Sequence, residues 1–141
     1  MKYWLRAVCF GTWIGVFAGS LGCAPIEQPP PPPSTPVSVS AFTQVAGNWA
    51  GILKATPRLR KDDWVTVTIH NDGSYQFKSV RTIGIMHGEG TFALVDGKLR
   101  SESDRGWIVA ILYEEGGRRM LKTEASTKEG TQYSADLGPT K

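Results

Sequence analysis

The chain has two histidines, His70 and His87, and they are the first place to look for chemistry. A zinc site needs three or four convergent ligands. Neither histidine has a cysteine or carboxylate partner at ligand spacing, so both read as surface or satisfied side chains. The pair Asp62-Asp63 stands where a strand begins and solvates a loop more naturally than it shares a catalytic proton. Ser101 and Ser103 lack the context of a nucleophile elbow, and Glu114-Glu115 belongs to a hairpin tip. Gly84 to Gly90 is glycine-rich, but it has neither the lysine nor the following helix of a phosphate loop. These residue types make no catalytic set. The expectation is a chain that is not an enzyme and that needs no metal or cofactor.

Two features point to binding instead. Trp49, Trp64, Tyr75, Phe77, Phe92, Trp107, Tyr113 and Tyr133 are spread through the second two-thirds of the chain. If strands close around a hollow, Trp49, Tyr75, Phe77, Phe92, Trp107 and Tyr133 are candidates to line it for a small apolar ligand. The alternative is that they fill it, since eight strands enclose a space that side chains can just pack. The second feature is Arg58-Leu59-Arg60-Lys61. Arg58, Arg60 and Lys61 are candidates to meet an anionic ligand, a phospholipid head group or an acidic partner; otherwise they solvate a loop.

The elements that would carry these residues read as strands. Val45 to Ala55 alternates, with Val45, Gly47, Trp49, Gly51 and Leu53 on one face. Trp64 to His70 places Val65, Val67 and Ile69 inward and Thr66 and Thr68 outward. Asn71-Asp72-Gly73-Ser74 is a hairpin turn, and Tyr75 and Phe77 begin a third strand. Thr91 to Val95, Lys98 to Ser103, Trp107 to Tyr113, Arg118 to Ala125 and Thr131 to Leu137 follow, separated by Asp96-Gly97, Asp104-Arg105-Gly106, Glu114 to Gly117 and Glu129-Gly130. No segment has a helical period. About eight strands in sequential order predict an all-β, up-and-down antiparallel meander that closes into a small barrel, because closure removes exposed edges. A curved open sheet or a two-layer sandwich is the alternative.

Composition bounds the rest. The chain of 141 residues suits one domain, and its 16 basic against 13 acidic residues give +3. Lys2 and Arg6 supply two of those positive charges, so the remainder is close to neutral and lacks the field of a nucleic-acid binder. Residues 1–22 carry a short positive start, an apolar stretch from Ala7 to Leu21 and small residues at its end. That is the pattern of a secretory signal peptide, with an uncleaved membrane anchor as the alternative. Pro29 to Pro33, with Ser34, Thr35 and Pro36, favours an extended tether. The expected organisation is a signal peptide over 1–22, a tether over 23–43, a barrel over 44–138 and a tail over 139–141.

Ser20-Leu21-Gly22-Cys23 resembles the lipobox of bacterial lipoprotein precursors, with leucine one place later than is usual there. The resemblance covers residues 1–24. It implies acylation of Cys23, attachment to a membrane through those acyl chains and, from Ala24, sorting to the outer membrane, facing the periplasm or the cell surface. At Gly47-Asn48-Trp49 the domain resembles the calycins, which include the lipocalins and avidins. In those barrels the indole closes one end beneath a late-strand arginine, a place that Arg118 or Arg119 would take here. The resemblance implies a carrier of a small apolar ligand. The reading that joins these strands is a non-enzymatic, membrane-tethered binding or interaction module of the bacterial envelope. Its partner would be an envelope protein or a small apolar ligand, and inhibition of an envelope-targeting enzyme is a further alternative.

Overall fold

The computed structural model describes residues 34–56, 63–80 and 85–141. Among these residues are ten strands: β1 (Thr35–Val37), β2 (Gly47–Thr56), β3 (Asp63–Ile69), β4 (Ser74–Val80), β5 (Ile85–Thr91), β6 (Ala93–Val95), β7 (Lys98–Ser103), β8 (Gly106–Glu115), β9 (Arg118–Thr127) and β10 (Gln132–Thr140). A single 3-10 turn, Phe42–Gln44, precedes β2. No helix among the described residues is long and apolar enough to cross a membrane.

The strands form one antiparallel sheet in the order β5-β4-β3-β2-β10-β9-β8-β7-β6. Its two outermost strands, β5 and β6, are separated in the chain by Phe92 alone. They are two halves of one bent segment, pairing β4 before the bend and β7 after it. The bend brings the sheet round on itself, and the result is a nearly closed barrel with eight strand positions. β1 extends the rim beside β7: it pairs the later half of β8, Val37 opposite Leu112, while β7 pairs the earlier half.

Turn chemistry sets the meander. Asp72 Oδ1 accepts hydrogen bonds from the Ser74 backbone N–H (2.9 Å) and hydroxyl (2.6 Å), which fixes the β3–β4 turn. Those two bonds, the hydroxyl first, hold the Asp72 carboxyl below the usual carboxylate range. At the β6–β7 turn both central residues, Asp96 (φ 50°) and Gly97 (φ 74°), are left-handed, the conformation of a two-residue hairpin loop. A side chain on Gly97 would also run into Ser38.

The core follows from the inward positions. Ile69, Leu99, Leu121, Leu137 and Val45 are fully buried, and Val65, Ala110, Leu112 and Ala135 join them. Val65 and Ile69 face inward, with the half-buried Val67 between them and Thr66 exposed, as the alternation predicts.

Two boundaries and one strand differ from the sequence expectation. The sheet takes in chain assigned to the tether, since β1 is a strand and Val39 is buried, its N–H donating to Gly97 O at 2.9 Å. Pro36 sits in β1 because that strand pairs on one side only. β10 runs through Pro139 to Thr140, into the expected tail. The glycine-rich stretch forms β5, which brings the strand total to ten. Gly88 and Gly90 lie opposite Phe77 and Tyr75. A Cβ on Gly90 would come within 2.6 Å of the Tyr75 hydroxyl, and one on Gly88 would strike the Phe77 ring. Glycine here makes room for the aromatic rings of β4. The expected signal peptide and Cys23 lie outside the described residues.

Candidate functional site

Trp49 enters the barrel from the third position of β2 and is buried at the end where the chain begins the sheet. Its indole N–H donates to Val45 O at 2.8 Å. Val45 and Ala46 N–H groups in turn donate to Phe42 O, so the 3-10 turn closes up beside the indole. Gln44 Oε1 secures this segment by accepting from the Ser40 and Ala41 N–H groups (2.7 and 3.1 Å). The cation–π contact among the described residues sets Lys122 over Tyr113, 4.6 Å from its centroid, and involves neither Arg118 nor Arg119, nor the indole. Arg119 instead joins Val37, Gln44, Leu112 and Glu114 around an open recess of about 280 Å³.

The other aromatic candidates divide between the inside and the outside. Tyr75 and Phe92 are buried and stacked, centroids 4.2 Å apart, and Phe77 packs against the core. The Tyr75 hydroxyl donates to Ser101 Oγ at 3.3 Å, bridging β4 to β7 across the bend. Tyr133 is half-buried, opposite Ala55 and Ala125. Trp107 lies on the outer surface, 38% exposed. Trp49, Tyr75, Phe77 and Phe92 are therefore brought into the interior, and Trp107 is not among them. Arg58, Arg60 and Lys61 lie outside the described residues.

The titratable and nucleophilic side chains do not converge. His70 is exposed at the end of β3, and His87 is exposed on the outer face of β5, opposite Lys78. No group of three His, Cys, Asp or Glu side chains among the described residues is arranged to hold a metal ion. Asp63 is buried at the first position of β3, opposite Leu53. Ser79 and Thr123 carry buried hydroxyls without a hydrogen-bond partner.

What stands out lies outside the barrel. Ile52, Trp64, Val80 and Ile85 are 48%, 52%, 52% and 58% exposed. They are successive cross-strand partners: Ile52 opposes Trp64, Trp64 opposes Val80, and Val80 opposes Ile85. One apolar row thus crosses β2, β3, β4 and β5 on the water side of the sheet. Each residue is apolar at an outward place in its strand's alternation. That was the available signal, but only the register joins the four into one feature.

The barrel is compatible with a lipocalin-like architecture. No protein-family model matches the chain, and no curated protein or solved structure matches it either.

Proposed function

We propose that this chain is a non-enzymatic interaction module of a bacterial envelope, held to a membrane by acyl chains on Cys23 and acting through the outside of its barrel. The observation that carries the proposal is the exposed row Ile52–Trp64–Val80–Ile85, on the outside of a barrel that buries Trp49, Tyr75 and Phe92. Large apolar side chains left in water on a folded domain mark a contact surface. The tether and the lipobox-like Ser20-Leu21-Gly22-Cys23 support the anchored part of the proposal. Gly47-Asn48-Trp49, with its buried indole bonded to Val45 O, supports a calycin-like barrel put to this use.

Two measurements test it. Labelled palmitate is expected in the wild type and in Cys9→Ser but not in Cys23→Ser, and the mature mass should begin at Cys23 plus acyl groups; a chain that keeps residues 1–22 refutes the acyl anchor and leaves an uncleaved span in its place. A fluorescent fatty-acid analogue should show no saturable site in the folded protein. Saturable binding abolished by Phe92→Ala would instead make the barrel a carrier, and the outer row incidental.

A further inference from the structure

We propose that the outer face of β2–β5 docks on an anionic phospholipid bilayer, with the row Ile52–Trp64–Val80–Ile85 seated among the head groups. This rests on the outer surface being the working one. Four strands at about 4.8 Å spacing make the row roughly 14 Å long. Its exposed side-chain surface is roughly 400 Å², about half of what each partner buries in a stable protein–protein interface. A second copy of the chain would gain too little there to stay. A bilayer surface asks for less, a shallow apolar strip with an amphipathic ring, and tryptophan is the residue that settles at head-group depth.

The charges beside the row choose the lipid. Lys54 is exposed on β2, two residues beyond Ile52, and Lys78 is exposed on β4, two residues before Val80. His87 faces Lys78 from β5. Among the outward described residues of β2–β5 the one carboxylate is Glu89, two positions further from the row than His87. Asp136 of β10 bounds the row beyond Ile52. Lysine stems lie along apolar surface while their ammonium groups reach for phosphate, so this border favours anionic over zwitterionic lipid.

The tether allows the geometry. The row lies near the end of the barrel where β2 finishes and β3 begins, whereas Thr35 enters beside Glu114 at the opposite end. Roughly a dozen residues separate Cys23 from Thr35 and span some 35 Å when extended at about 3.1 Å each. Ten-residue strands reach about 33 Å before tilt. A chain anchored at Cys23 can therefore turn its far end onto the same membrane.

The test uses the full chain and its Trp64→Phe variant, both reconstituted in vesicles containing brominated phosphatidylcholine, with or without phosphatidylglycerol. The difference in emission between the two proteins isolates Trp64 from the other tryptophans and from the anchor. In the mixed vesicles brominated lipid should remove roughly half of that emission, with recovery as salt screens the lysines. Lys54→Glu with Lys78→Glu should abolish the effect while the far-UV spectrum stays unchanged. Equal quenching in phosphatidylcholine alone overturns the anionic assignment. Emission untouched by brominated lipid overturns docking altogether. In that case, shielding of Trp64 from acrylamide in lipid-free protein assigns the row to a second copy, and free access leaves it bare. A saturable apolar-probe site in the barrel would remove the underlying proposal, whereas unquenched Trp64 on anchored protein removes only the bilayer.

Discussion

Ser79 points inward from β4, opposite Val65 and Met86, with its hydroxyl fully buried and without a partner. Burying an unpartnered hydroxyl costs about 1–3 kcal/mol. Ser79→Ala removes that cost with little loss of volume, so thermal and urea unfolding should show stability unchanged or raised by about 1 kcal/mol. A clear loss of stability in Ser79→Ala would mean that the hydroxyl has a partner after all. Trp49 is the opposite case, since its one polar atom is satisfied by Val45 O and its ring is buried. Ser79 and Thr123 show that this interior tolerates polar groups among its apolar side chains.

Alternation decides which strand face can bear a charge. Val67→Asp would put an unpaired carboxylate between Val65 and Ile69, a cost of roughly 4 kcal/mol against a whole-domain stability of about 5–15 kcal/mol. Thr66→Asp, exposed one residue earlier, should stay within about 0.5 kcal/mol. Urea titration of the two variants checks this, and equal effects would refute the facing. β3 was legible because Val65, Val67 and Ile69 carry the period on their own, and Asn71-Asp72-Gly73-Ser74 announces its turn. β5 was not, because Gly88 and Gly90 at its inward places erase the alternation; their reason lies on the neighbouring strand, in Phe77 and Tyr75. β1 was hidden by Pro36, which reads as tether until β8 is there to pair it. The outer row was invisible for the same cause. Ile52, Trp64, Val80 and Ile85 are scattered along the sequence and meet only through register.

At the scale of the molecule, β10 sits between β2 and β9 and pairs with both. A chain ending after Gly130 would leave β2 paired only with β3 and β9 only with β8, each with one open edge, and take Ala135 and Leu137 from the core. It should show no cooperative unfolding transition, and adding a peptide of residues 131–141 should restore one; a truncated chain that melts cooperatively without the peptide would refute this. The same pairing sets a timetable. Asn48, paired with Thr140, leaves the ribosome roughly 90 residues earlier, several seconds at about 5–20 residues per second. The β3–β4 hairpin needs only microseconds to form once made. The barrel as a whole has to wait, because β2 cannot find β10 until those residues have been made.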